Sequence, residues 1–286
     1  MAQLERIAPE SIDKAAALCS EYGDRAKIIC GGTDLLVQIK KQMIMPDTLV
    51  SLEKIPGLDR IVFDQKDGLS LGALSRITQI EDSKLVQKSF PVIAEAAGKL
   101  GTPLIRRLAT LGGNICSAAP SADMAPALLV SGAEAVVRGL KDERTIKIED
   151  FFTGPRETAL KRGEILLRVQ VPNPQPKSRA VYLKQTRRHG ADLAVVGIAV
   201  MLVVKDRVMS DIKIGLGAVA PTPMRAVKAE TLLKGQKWTE ALLEEAGRVA
   251  ATETNPIDDV RGSAAYRKKL VAVLVKRALL QTVEME

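Results

Sequence analysis

The side chains best placed to do chemistry fall in two glycine-centred stretches, Cys30-Gly-Gly-Thr-Asp34 and Thr110-Leu-Gly-Gly-Asn114. Each combines a glycine pair with hydroxyl and amide or carboxylate groups. Glycine has no Cβ to hold a ligand away and enters the left-handed region freely, so successive N–H groups can converge on an anion. The first stretch joins a strand-like segment, 26–30, to a helix-like one, 33–41, and so aims a helix N-terminus at the same point. Small residues, 115–122, follow the second stretch. Next come Asp123, read as a helix N-cap, and Pro126 in the first turn of an apolar run. A tight turn explains either stretch alone; together they indicate an anionic, nucleotide-like ligand.

Other chemistries find little support. The single histidine, His189, follows two arginines in a polar turn and suits a surface role better than a hydrolytic triad. Cys19, Cys30 and Cys116 are widely spaced, lack a CxxC pattern and are too few for a four-thiolate cluster, so reduced thiols and no metal are expected. No GxxxxGK[ST] pattern occurs. Gly215-Leu-Gly-Ala-Val-Ala220 satisfies a loose dinucleotide fingerprint, yet Pro221 and Pro223 stand where its helix should begin. It reads as a strand end.

The elements that must position the glycine stretches are readable from periodicity and punctuation. A helix is expected over 9–23, with Ser11 as N-cap and Gly23 as the stop. Strands are expected at 48–52, 60–63, 69–73 and 164–171, with a hairpin at 134–138 and 144–148. Residues 84–100 are helical, interrupted at Pro91. After the Pro172-Asn-Pro-Gln-Pro176 linker, three strands at hairpin spacing (180–186, 193–204, 208–219) precede helices at 224–234, 238–251 and 263–280.

Composition narrows the class. At 286 residues, with 46% hydrophobic and 27% charged residues, this is an ordinary globular composition. Aromatics are 3%, with one Trp, which argues against a base-stacking nucleic-acid platform. The net charge of +8 is spread along the chain, with clusters at Arg106-Arg107, Arg187-Arg188 and Arg267-Lys268-Lys269. This is a solvated basic surface, or a face for phosphate or an acidic partner. No leader-like segment and no membrane-length apolar run is present, so a cytoplasmic location without a membrane span is expected.

Seven segments in order, KIICGGTDLLVQIK, LGALSRITQIE, LATLGGNICSAAPSADMAPAL, GEILLRVQVP, YLKQTRRHGADLAVVGIAV, GAVAPTPMRA and DDVRGSAAYR, resemble the FAD-binding medium subunit of the molybdenum hydroxylases. That family includes xanthine, carbon monoxide and nicotinate dehydrogenases, and the resemblance covers nearly the whole chain. It implies an α+β protein with the two-subdomain FAD-binding fold of the vanillyl-alcohol oxidase type. A C-terminal α+β domain with a three-stranded antiparallel sheet and helices would follow. The boundaries would be 1–55, 56–175 and 176–286.

The resemblance also implies a site. FAD would lie between the first two subdomains, touched by Lys27, Ile28, Ile29, Cys30, Gly31, Gly32, Thr33, Asp34 and Leu35 of the first stretch. Thr110, Gly113, Asn114 and Ser117 of the second would hold its pyrophosphate from the other side. Asp123 would hydrogen-bond the cofactor, Leu166 would pack on the flavin, and Lys184 would sit near the isoalloxazine as a cation. No catalytic residue for the organic substrate is implied. Partner subunits would carry a molybdopterin cofactor and two [2Fe–2S] clusters, in a dimer of heterotrimers. Electrons would leave the FAD for NAD⁺, a quinone, ferredoxin or oxygen. The first stretch ends Thr33-Asp34 where carbon monoxide dehydrogenases tend to carry His-Ser, which disfavours that substrate. The alternative is a self-contained oxidase of the vanillyl-alcohol oxidase type, which would need its own base and a lined substrate pocket.

Overall fold

The computed structural model describes residues 4–188 and 192–285; His189 lies outside them. Three main sheets succeed one another along the chain, with a small two-stranded ribbon, Phe152–Gly154 and Glu157–Thr158, inserted within the second. The first is parallel, with Thr48–Ser51 between Glu5–Ile7 and Ala26–Ile29. The helix Ile12–Tyr22 connects them. The Ser11 hydroxyl accepts from the Lys14 N–H at 3.3 Å, and Gly23 ends the helix at φ 55°. Both ends fall where the sequence places them. Ala15 and Ala16 are fully buried, and the small core beneath contains Val50, Leu52, Ile165 and Leu167.

The second sheet has five antiparallel strands in the order Ile61–Asp64, Gly68–Gly72, Ile165–Val171, Glu134–Arg138, Glu143–Lys147. Short helices supply the rest of this layer. Lys84–Ser89 stops before Pro91, which opens Pro91–Gly98 in the position where its missing N–H is harmless. Every residue of Met124–Val130 is buried. The largest hydrophobic core lies between this sheet and these helices.

The third sheet is antiparallel in the order Ser178–Gln185, Val196–Lys205, Val208–Gly217, Met224–Arg225. It has a fourth, two-residue strand where a helix beginning at 224 was expected. Arg225 pairs with Gly215 and the Ala226 N–H donates to the Ile214 carbonyl at 2.9 Å, so the helix starts only at Val227. Both faces of this sheet are covered. Ala180, Tyr182 and Ala199 join the core of the second layer, whereas Val181, Ile198 and Val200 join a core closed by the helices Val227–Leu233, Glu240–Glu253 and Ala264–Glu284. The glycines of the discarded fingerprint explain how the layers meet. An added methyl at Gly215 would overlap the Pro126 carbonyl, and one at Gly217 would lie 2.9 Å from Pro126 Cγ. These glycines let the strand approach the helix Met124–Val130.

Candidate functional site

The first glycine turn follows directly from its strand. Lys27, Ile28 and Ile29 pair in parallel with Leu49, Val50 and Ser51, which fixes where Cys30 leaves the sheet. Gly31 then passes so close to the end of the helix Pro103–Leu108 that a methyl would overlap the Leu108 carbonyl. Gly32 takes φ 69°, the left-handed turn that points the chain into the helix Leu35–Lys40. No hydrogen bond within the described residues engages the amides of Thr33, Asp34 or Leu35, so three donors stand at one helix start. The Asp34 carboxylate accepts from Gln38 Nε2 at 2.8 Å and lies 3.6 Å from the Arg156 guanidinium.

The second stretch differs from the loop expected. Leu111–Cys116 is a single turn and a half of helix, and neither Gly112 nor Gly113 has a positive φ. The Thr110 hydroxyl caps it, accepting from the Gly113 N–H at 3.1 Å. The Leu111 and Gly112 amides donate to Ser75 at 2.9 Å and Ala73 at 2.8 Å. Its amides are therefore spent inside the protein and form no nest. Gly112 is needed for packing, since a methyl there would lie 2.7 Å from the Ala73 carbonyl. Gly113 is different: a methyl would meet only Thr110 Oγ at 3.0 Å, with open space beyond. Asn114 Oδ1 is shut away from solvent with no hydrogen-bond partner, which is costly unless something supplies a donor. Ser117 Oγ donates to the Asn114 carbonyl at 2.9 Å.

The two stretches meet. Gly31 abuts Leu108, the Cys30 thiol feels the neighbouring Thr110 side chain, and Arg156 reaches Asp34 while its own N–H donates to the Ala118 carbonyl at 2.9 Å. Burial pushes the Cys30 thiol up to about 11, partly offset by Thr110. Burial, and then the neighbouring Cys30, raise Cys116 further. Both are packed, protonated thiols.

Asp123 holds the N-cap position of its helix but makes no capping hydrogen bond. Its carboxylate turns instead to the third sheet, where it accepts from Lys184 Nζ at 2.8 Å and from the Tyr182 hydroxyl at 3.0 Å. Asp123 and Lys184 side chains are each 5% exposed. Burial raises the Asp123 carboxyl above its ordinary value, and Lys184 and Tyr182 pull it back. Lys184 also donates to the Lys99 carbonyl at 2.8 Å, Lys99 donates to the Tyr182 carbonyl, and the Tyr182 N–H donates to Glu95 at 2.9 Å. The expected lone cation is thus half of a buried ion pair spanning two layers. Leu166 is 4% exposed inside the large core, beside a bulge in its strand. Tyr182, Lys99, Glu95 and Arg156 went unnoticed in the sequence. Only Tyr182 carried a signal, being two residues from Lys184 and so on the same strand face.

Residues 2–174 match the family model described as the FAD binding domain in molybdopterin dehydrogenase. Residues 181–282 match the CO dehydrogenase flavoprotein C-terminal domain. The chain belongs to this family of FAD-binding subunits. It is 31% identical to the carbon monoxide dehydrogenase medium chain of Hydrogenophaga pseudoflava, over 97% of this chain and 96% of the relative. It is 27% identical to the nicotinate dehydrogenase FAD-subunit of Eubacterium barkeri, over 99% and 97%. Among solved structures, carbon monoxide dehydrogenase from H. pseudoflava matches with a TM-score of 0.95 at 31% identity, covering 98% of this chain and 97% of that one. Quinoline 2-oxidoreductase from Pseudomonas putida 86 matches at 0.91 and 26%, covering 99% and 97%.

The residues present fit FAD. A diphosphate needs clustered donors, and the amides of Thr33, Asp34 and Leu35 stand together. A long ligand needs a surface with nothing projecting, which the open side of Gly113 provides. Its hydroxyl groups need acceptors, and Asn114 Oδ1 is a buried acceptor with no partner.

Proposed function

We propose that this chain is the FAD-carrying electron-transfer subunit of a molybdopterin-dependent hydroxylase or dehydrogenase. It takes electrons from the [2Fe–2S] clusters of a small partner subunit and passes them to an external acceptor such as NAD⁺. A large molybdopterin-binding subunit hydroxylates the organic substrate, and the three chains assemble as a cytoplasmic dimer of heterotrimers. The observation that carries the reading is the cradle formed where the two glycine stretches meet, with open space at Gly113 and unpartnered polar groups on both sides. The names of the relatives add support. Carbon monoxide, glyceraldehyde and nicotinate dehydrogenases match at 31%, 30% and 27% identity, as expected of a subunit whose task does not depend on the substrate.

When bound, FAD supplies a centre that accepts electrons singly and delivers them in pairs. The chain's own residues do the rest. The boundaries 1–55, 56–175 and 176–286 put the first glycine turn, with Lys27–Leu35, in one subdomain. They put Thr110, Gly113, Asn114, Ser117, Asp123 and Leu166 in the next. The amides at the helix start bind phosphate, Asn114 orients a ligand hydroxyl, and Leu166 backs the ring with apolar surface. Lys184 from the third sheet and Asp123 from the second layer close the site and exclude water from it. Organic substrate finds no catalytic side chain here.

The test is the visible spectrum of the purified chain before and after incubation with FAD, with the bound chromophore identified. Stoichiometric FAD, and its reduction on mixing with a reduced iron–sulfur partner subunit, is expected. A folded chain that takes up no FAD would overturn the cofactor assignment. A flavinylated chain that oxidises an alcohol unaided would identify an independent oxidase.

A further inference from the structure

The helix Ala264–Glu284 begins at a buried arginine that the flavin site does not touch. Arg267 is 2% exposed. Its Nη1 donates to two carbonyls, Val195 at 2.8 Å and Ala218 at 2.9 Å, and its Nη2 donates to Asp259 Oδ1 at 2.6 Å. Asp259 is itself gripped by Arg261 at 2.7 and 3.0 Å. Although burial opposes it, these arginine contacts hold the Asp259 carboxyl down at about 2. The two carbonyls bound by Arg267 have an unusual pair of neighbours. The Val195 N–H donates to the Gln185 carbonyl at 2.8 Å, and Gln185 follows Lys184 in the strand. The Ala218 N–H donates to the Pro120 carbonyl at 2.7 Å, and Pro120 lies just upstream of Asp123. Ala218 holds this geometry at φ 64°, a conformation a non-glycine residue keeps only when its surroundings enforce it. One guanidinium is therefore two hydrogen bonds away from Gln185, the residue after Lys184, and from Pro120, three residues before Asp123.

We infer that Arg267, aimed by Asp259, is a positioning residue that holds Lys184 and Asp123 in register at the flavin site. This rests on the proposal that the Lys184–Asp123 pair adjoins FAD. The arginine is suited to the task because its planar fork can serve two carbonyls and a carboxylate at once, whereas a lysine ammonium could not keep all three directions. The carboxylate fixes the guanidinium, the guanidinium fixes two backbone segments, and those segments carry the pair. Outer-shell groups of this kind tune a site without touching its ligand.

The experiment uses the full chain, with Asp259→Asn as the gentler variant and Arg267→Met as the stronger. Two quantities are measured on folded protein. One is the reduction potential of reconstituted FAD. The other, made without FAD, is the rate at which an acylating reagent modifies Lys184, read by mass spectrometry. Lys184→Gln serves as the reference. Both variants should move the potential in the same direction as Lys184→Gln, and should raise Lys184 acylation by about tenfold, the scale of losing an outer-shell partner. A role confined to stability would lower the melting temperature and leave both quantities unchanged, and that result would overturn the inference. If Lys184→Gln itself leaves the potential unchanged, the pair does not adjoin the flavin. Lys184 acylation still reports on the clamp in that case.

Discussion

Replacing Lys184 with Met leaves the Asp123 carboxylate buried with only the Tyr182 hydroxyl as partner. At 2.8 Å and an effective dielectric of about 20, the lost attraction is about 6 kcal/mol. Much of that offsets desolvation, so the net cost of breaking a buried pair from one side is about 3–5 kcal/mol. For a chain of this size that lowers Tm by on the order of 10 °C. The loss should depend on pH, with a definite sign. Burial already raises the Asp123 carboxyl, and two of the three influences that lower it come from Lys184. Without the lysine the folded protein holds the Asp123 proton more tightly than the unfolded chain does. Unfolding then releases a proton, and stability falls as pH rises through the raised folded value. Acidification from neutral pH toward that value should therefore narrow the gap between Lys184→Met and the parent. Circular dichroism melts of both proteins at several pH values, with Lys184→Met/Asp123→Asn alongside, test this. The double variant, free of the buried charge, should recover much of the loss. A gap of equal size at every pH, or a double variant no better than the single, would refute the reasoning.

Gly113→Val should abolish FAD binding with a smaller loss of melting temperature than Gly31→Ala, because its Cβ meets only the Thr110 hydroxyl, at 3.0 Å, and no backbone; stoichiometric flavin in the folded variant would contradict the placement. Gly31→Ala should fail differently, since its methyl overlaps the Leu108 carbonyl; a cost of about 1–3 kcal/mol from overpacking should appear in thermal melts even without cofactor. Cys30→Ala should retain FAD. In the native chain the Cys30 thiol, pushed up to about 11 by burial, should resist iodoacetamide at pH 8, and mass mapping of rapid alkylation there would contradict that packing. Asp123→Asn leaves the Lys184 charge unopposed, so the flavin potential should shift opposite to the shift in Lys184→Met at neutral pH; shifts of the same sign would exclude an electrostatic origin.

Local signals made much of the fold legible. Ser11 and Gly23 bracket their helix, Pro91 divides another, and the Pro172–Pro176 linker precedes the third sheet. What could not be read was held by distant contacts. Ile77–Asp82, Pro103–Leu108 and Leu111–Cys116 are six-residue helices, too short for periodicity or intrinsic propensity to announce them. Leu111–Cys116 exists because Thr110 caps it and Ser75 and Ala73 take its first amides. The three-residue strand Glu5–Ile7 exists because Thr48–Ser51 offers it a parallel edge. The glycines were recognisable as special, but their separate duties were not. Gly31, Gly112, Gly215 and Gly217 permit close packing, Gly32 makes a left-handed turn, and a methyl at Gly113 would meet only the Thr110 hydroxyl.

The candidate site shows the same division, with a consequence for its electrostatics. The phosphate side proposed for it is written locally, in a strand, a turn and a helix start that are contiguous in sequence. Its other end is assembled from Asp123 on the second layer and Lys184 on the third, whose pairing no spacing rule reveals. Read singly, Lys184 is a cation beside a flavin. Placed 2.8 Å from Asp123 and equally buried, it is one pole of a formally neutral pair, whose field falls off faster than that of a charge. Such a pair acts on a neighbouring group through its orientation. Orientation is what the hydrogen bonds of Tyr182, the Lys99 carbonyl and, through the backbone, Arg267 control. In the proposed site the third sheet thus contributes by aiming a dipole, which accounts for polar groups that the tight apolar packing of these layers does not require.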